Sequence, residues 1–160
     1  MDDRTSPLTT NLRVRPVRQS DYEAWLPLWA GYNAFYGREG PTALPDAVTR
    51  STWGRFLDAS EPMHALVAES PGRLLGLAHV LDHRSTNRIE SVRYLQDLYT
   101  AADARGRGVG RALIERVYAD ARDAGIRRVY WHTHADNRIA RLLYDRVAAH
   151  AGFIVYAHED

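Results

Sequence analysis

Apolar and basic residues alternate over Leu12-Arg13-Val14-Arg15, the period of a half-buried strand, and Pro16 closes the run. The period then lengthens. Tyr22, Trp25, Trp29, Tyr32 and Tyr36 recur every three to four residues, which places them along one side of a helix. Ser20 and Glu23 have the spacing of a capping box at its start, and Pro27 is expected to kink it. A second short helix is predicted between Leu44 and Leu57. Two apolar strands, His64 to Glu69 and Leu74 to Leu81, flank the turn signal Ser70-Pro71-Gly72 and read as an antiparallel hairpin. A third strand is expected from about Ser91 to Thr100. Gly110, Leu113, Ile114, Val117, Ala121 and Ala124 then make one helical face, with Gly125 as its stop. Val129 to His132 reads as a strand. Asn137 is placed to cap a helix that carries Ile139, Leu142, Leu143 and Val147, and Phe153 to Tyr156 reads as a last short strand. The order β-α-α-β-β-β-α-β-α-β predicts an α/β protein with a mixed, mostly antiparallel central sheet flanked by helices.

One hundred and sixty residues suit a single domain, expected over residues 12–160 behind a polar, flexible tail at 1–11. A composition of 45% apolar and 26% charged residues excludes bulk disorder. A formal net charge of +1 gives no global attraction to nucleic acid or to an anionic membrane, so any polyanion site must be local. With no cysteine, disulfides, thiolate metal sites and a cysteine nucleophile are excluded. No segment has the length of a membrane span or the pattern of a signal peptide, and cytoplasmic residence is the expectation.

The richest chemistry lies between the third strand and the third helix. Arg105-Gly106-Arg107-Gly108-Val109-Gly110-Arg111 alternates glycine with larger residues just before a helix. Alternate glycines let the chain turn tightly and direct successive amides into one concavity, to which a helix start adds unpaired donors. Arg105, Arg107 and Arg111 surround it with cations suited to phosphate oxygens. A P-loop would need a lysine followed by a hydroxyl residue, and a dinucleotide fingerprint would need two residues between its last glycines. Neither is present, which leaves Arg-x-x-Gly-x-Gly.

That pattern resembles the coenzyme A signature of the GNAT superfamily of N-acetyltransferases, and the predicted element order resembles the GNAT fold over nearly the whole chain. A second motif, Asn137 followed seven residues later by Tyr144, looks like the second cofactor element of that family. The segments Leu95-Gln96-Asp97-Leu98-Tyr99-Thr100 and Ala140-Arg141-Leu142-Leu143-Tyr144 look most like the diamine acetyltransferase branch and its relatives acting on amino acids or histone tails. The resemblance implies acetyl-CoA as donor, no metal, and a primary amine as acceptor that attacks directly in a ternary complex. It implies that the main chain of Leu98, Tyr99 and Thr100 pairs with the pantetheine arm, and that the backbone amide of Leu98 stabilises the carbonyl oxygen. The loop residues 105–111, Val109 included, would hold the pyrophosphate. Asn137 would contact the cofactor arm, and Tyr144 would be the acid for the departing thiolate.

Each residue also has a plainer reading. Tyr144 could be helix packing, Asn137 a cap alone, and the arginines a solvated cluster. Asp97 is the carboxylate best placed to meet the amine, or else one half of an internal ion pair with an arginine. Gln96 stands where polyamine enzymes carry a glutamate, which removes one charge expected for a polycationic acceptor. Trp29, Tyr32 and Tyr36 are core residues or walls of an acceptor site for an ammonium. His132 and His134 lack a clear third ligand, so no metal is expected. The competing class of function is a GNAT-like module that binds acyl-coenzyme A without turnover; acetylation of a protein amine is a third. A homodimer is expected, because a sheet ending near the C-terminus leaves an edge for a second subunit.

Overall fold

The computed structural model describes residues 11–160. The tail expected at residues 1–11 lies outside them, apart from Asn11. One five-stranded sheet runs in the order β1 (Arg13–Pro16), β2 (Met63–Ser70), β3 (Arg73–His83), β4 (Val92–Thr100) and β5 (Val129–Tyr130). The first three pairings are antiparallel and the last is parallel. Between β1 and β2 come α1 (Tyr22–Phe35) and α2 (Asp46–Leu57), between β4 and β5 comes α3 (Val109–Asp123), and α4 (Arg138–Val147) follows. No described helix is long and apolar enough to cross a membrane.

The two faces of the sheet are easily told apart. On one, Trp25, Trp29 and Phe56 of α1 and α2 pack around His79 of β3. On the other, Gly76 of β3 lies so close to Val109 and Leu113 of α3 that a Cβ there would meet them at 3.0 and 3.2 Å. The fully buried side chains Trp25, Val67, Leu75, Leu77, Leu113, Ile114 and Val117 come from both layers, so the sheet is the middle of the core.

Local chemistry explains the element boundaries. The Ser20–Glu23 capping box is not used. A 3-10 turn at Gln19–Asp21 precedes α1, and Asp21 takes the Arg18 amide at 2.7 Å while pairing bidentately with the buried Arg15 of β1. Those hydrogen bonds from Arg15 hold the Asp21 carboxyl below the usual range. Helix α1 passes through Pro27 as a continuous element, the proline lying early enough that the bond it forgoes is to the carbonyl of Glu23 in the first turn.

The expected last strand at Phe153–Tyr156 is absent. A strand needs a neighbour's backbone, and β5 extends over two residues, not the four expected from Val129 to His132. Residues 148–160 carry no regular structure, and Phe153 and Tyr156 are 81% and 88% exposed. Beside β5 lies an open hollow of about 660 Å³, lined by Tyr118, Ala121, Ile126 and Val129 among others.

Candidate active site

The site is organised by one irregularity in β4. Opposite β3, Leu98 pairs with Ala78 and Asp97 with His79, but Val80 pairs with Leu95, so the exposed Gln96 is an extra residue with no partner. It is a β-bulge. Its effect on the backbone follows from two bonds. The Arg93 amide donates to Arg128 on the β5 side, whereas the Ala101 amide donates to Leu75 on the β3 side. Amides alternate sides along a strand, so without the extra residue both odd-numbered amides would face the same way. Beyond the bulge the even-numbered groups of Leu98 and Thr100 therefore face away from β3.

That side of β4 has no strand beside it. Pairing with β5 stops at Tyr94↔Tyr130, so the strands diverge over Leu95–Thr100 and leave an open edge. The Thr100 carbonyl on this edge accepts from Arg105 Nε at 3.2 Å, in agreement with the alternation. Leu98 N–H and Thr100 are thus available to an extended ligand that adds like a strand, as pantetheine would.

At the end of the edge the chain turns into α3. Gly106 and Gly108 have φ of 73° and 82°, the left-handed region that favours glycine, and Gly108 is the residue immediately before the helix. The next amides, Val109, Gly110 and Arg111, have no helical acceptor four residues back, and no acidic side chain occupies the first turn. A positive concavity of backbone donors results, with Val109 buried beneath it. Gly110 allows α4 to approach: a Cβ there would meet Leu143 at 3.3 Å. Arg105 also lies over the Tyr99 ring, and Arg111 pairs with Glu115 at 2.8 Å. These donors suit a pyrophosphate.

Asn137 occupies the position before α4 but makes no cap with its side chain. Its Nδ2 donates instead to Thr133 Oγ1 at 3.0 Å, tying the β5–α4 loop together. The capping expectation is corrected on that point. Tyr144 sits on α4 edge-on to Trp131, at 5.4 Å between ring centroids. Burial, and next the proximity of Tyr36, push its hydroxyl up to about 12, so it keeps its proton throughout the neutral range.

Asp97 is 7% exposed, and its partner is not an arginine. His79 Nδ1 lies 2.8 Å from its Oδ2. Trp25 Nε1–H can only donate, and it does so to His79 Nε2 at 3.0 Å. The imidazole hydrogen therefore sits on Nδ1 and is donated to Asp97. The histidine holds one carboxylate oxygen, and the Tyr32 hydroxyl is hydrogen-bonded to the same carboxylate. Burial first and Asp97 second raise the hydroxyl pKa of Tyr32, Tyr36 and Tyr94, which places all three around this carboxylate. Tyr36 in turn lies 5.8 Å from the His134 ring and acts on Tyr144. Trp29 backs this wall, stacked on Tyr32 at 5.5 Å and bonded to Thr49.

Asp97, next to Leu98 on β4, thus lies near Tyr32 and Tyr36, and Tyr36 in turn lies near Tyr144. Gln96 takes no part in that cluster as a carboxylate substitute; it is the exposed bulge. His132 and His134 face Tyr94 and Tyr36, respectively, and no cluster of three His, Asp or Glu side chains fit to hold a metal occurs among the described residues. His79 and Tyr94 were missed in the sequence, and His134 was weighed there only as a metal ligand. His79 had a signal, as the one ionisable residue in the apolar run Leu74 to Leu81.

The model of the acetyltransferase (GNAT) family matches residues 24–149. The chain is 37% identical over 145 residues to a D-amino-acid N-acetyltransferase of Saccharomyces cerevisiae, covering 89% of this chain and 88% of the relative. It is 27% identical over 150 residues to an N-acetyltransferase of Bacillus subtilis, covering 91% and 95%. Among solved structures, AAC(6')-Iy in complex with the bisubstrate analogue CoA-S-monomethyl-acetylneamine superposes with a TM-score of 0.81 at 18% identity, over 94% of this chain and 99% of that one, a likeness of fold. An open β4 edge leading into a glycine turn, on a sheet of this order and in a sequence matched over most of its length, makes this chain a member of the GNAT family, an acetyl-CoA-dependent N-acetyltransferase.

Proposed function

We propose that the protein acetylates the primary amine of a small molecule, an amino acid or related amine, by direct attack in a ternary complex. The observation that carries this reading is the bulge at Gln96. It places a donor edge (Leu98, Thr100) and an acceptor carboxylate (Asp97) on adjoining residues of one strand. The glycine turn at Gly106 and Gly108 and the first amides of α3 would hold the pyrophosphate of acetyl-CoA, which supplies a thioester carbonyl when bound. Arg105, Arg107 and Arg111 would ring it. The D-amino-acid N-acetyltransferase relative supports an amino-acid acceptor.

The residues divide the work. Asp97 accepts a proton from the bound ammonium and frees the nitrogen lone pair, with His79 holding the carboxylate in place. The Leu98 amide donates to the carbonyl oxygen, where charge builds as the C–N bond forms and the C–S bond breaks. Tyr144 gives its O–H proton to the departing sulfur and is reprotonated by the second proton that the nitrogen sheds as the amide forms. Its protonated hydroxyl supports this role, and the aromatic pair Tyr32 and Tyr36 shields the nitrogen from water.

Tyr144→Phe is expected to lower kcat about 10- to 100-fold with little change in KM for acetyl-CoA, the cost of one lost acid. Coenzyme A release with a panel of amines measures it. Undiminished kcat would remove Tyr144 from the mechanism, and tight coenzyme A binding without transfer to any amine would favour a binding module.

A homodimer completes the proposal. The exposed Phe153-Ile154-Val155-Tyr156 run is an apolar feature, and the hollow beside β5, lined by Arg122 and Arg127 as well as by Tyr118 and Ile126, is an opening that a second copy would cover. Light scattering should report a dimer, and removal of residues 153–160 should yield a monomer. A monomeric 160-residue chain contradicts the proposal.

A further inference from the structure

Arg38 follows α1 and is held in an unusual way. Its Nε donates to Asn33 Oδ1 at 2.7 Å, and its backbone amide donates to the Asn33 carbonyl at 2.9 Å. Asn33 is 5% exposed, and its own Nδ2 donates to the Trp29 carbonyl at 2.8 Å, which fixes the amide so that its oxygen is the atom offered to Arg38. The guanidinium carbon lies 5.8 Å from the Tyr32 ring centroid and 5.4 Å from that of Tyr36. Several other anchored arginines have carboxylate partners, such as Arg15 with Asp21 and Glu69, or Arg93 with Asp82. Arg38 has none among the described residues. Its Nε is spent on a buried amide, and its two terminal nitrogens are left as a fork.

The same two tyrosines feel the opposite charge of Asp97. Burial aside, Asp97 raises both hydroxyls and Arg38 lowers both. A buried carboxylate and an anchored guanidinium therefore both lie near one tyrosine pair.

We propose that Arg38 binds the carboxylate of the acceptor while Asp97 binds its ammonium, so that the site selects a zwitterionic amino acid over an amine lacking the acid group. This rests on the transfer reaction proposed above and adds the specificity residue. A guanidinium held through Nε offers two parallel N–H groups at little cost in side-chain entropy, the geometry that a carboxylate prefers. The aromatic rings near both charges favour an ammonium and exclude water. A simple alkylamine would leave the guanidinium unanswered, and a diamine would bring a second cation towards it.

The test compares alanine and phenylalanine, as both enantiomers, with their primary amides, which keep the amine and lose the charge of the acid. The wild-type enzyme should favour the acid over the amide at least tenfold in kcat/KM. R38Q should lower kcat/KM for the acid about 100-fold, mainly through KM, and leave the amide within about twofold. R38K, which keeps the charge but loses the fork, should fall between. Equal losses on acid and amide in R38Q, or a wild-type enzyme that prefers the amide, would overturn the assignment of Arg38. Acetylation of other amines but of no amino acid would also overturn it while leaving the transfer reaction standing. Absence of transfer to every amine would overturn both.

Discussion

Asp97→Asn is expected to lower kcat/KM for the amine by about 100- to 1,000-fold while leaving the KM for acetyl-CoA within about twofold. The asymmetry comes from where the carboxylate sits. Its Oδ2 takes the His79 hydrogen and the carboxylate lies against Tyr32, whereas the donor edge is built from the backbone of the next residues. Asparagine keeps an acceptor oxygen for His79 Nδ1–H, so the buried Trp25–His79 chain stays satisfied and the fold is retained. What is lost is the negative charge that attracts the ammonium and takes its proton. Steady-state kinetics with a saturating donor and varied amine, alongside thermal unfolding, separates the two. A variant as active as the wild type would show that Asp97 is an internal partner of His79 and nothing more.

Gly108→Asp should abolish measurable donor binding, with coenzyme A affinity falling more than 100-fold by calorimetry. Two effects add. Gly108 has φ of 82°, and forcing a side chain into that region costs about 1–2 kcal/mol. The carboxylate would also stand at the positive start of α3, directed against the phosphates that the turn is built to receive. Gly108→Ala isolates the first effect, since no atom lies within 4 Å of a Cβ placed there. It should lower stability by a similar 1–2 kcal/mol and affinity by about tenfold or less. If Gly108→Asp bound coenzyme A as tightly as Gly108→Ala, the glycine turn would not be the phosphate cradle.

Elements with a strong period were legible in the sequence. The α1 stripe, the hairpin at Pro71-Gly72 and the amphipathic α3 lie within two residues of their expected bounds, because each is fixed by burial of its own side chains. The glycine turn was legible for a related reason: three alternate glycines have few other uses. What escaped depended on contacts distant in sequence. The Phe153–Tyr156 run has the composition of a strand, yet composition cannot supply the neighbour whose backbone a strand requires. Asp97 was visible as an isolated carboxylate, but its partner lies 18 residues away on β3 and could not be chosen over an arginine by inspection. Arg38 was hidden altogether, since an arginine after a helix looks like any solvated cation until Asn33 is seen to hold it.

The bulge at Gln96 makes the site sensitive to counting more than to chemistry. Up to Tyr94 the strand shows its even-numbered side chains to the acceptor wall, and after Gln96 it shows the odd-numbered Asp97 and Tyr99, the latter pressed so close to α1 that Gly31 has no room for a Cβ. Acceptor residues can therefore be exchanged one for another without disturbing the phase that aims the Leu98 amide. A change of one residue in the length of β4 would turn amide and carboxylate together towards the wrong neighbours. Drift in substrate preference is open to this scaffold through substitution, and closed to it through insertion or deletion between Val92 and Thr100.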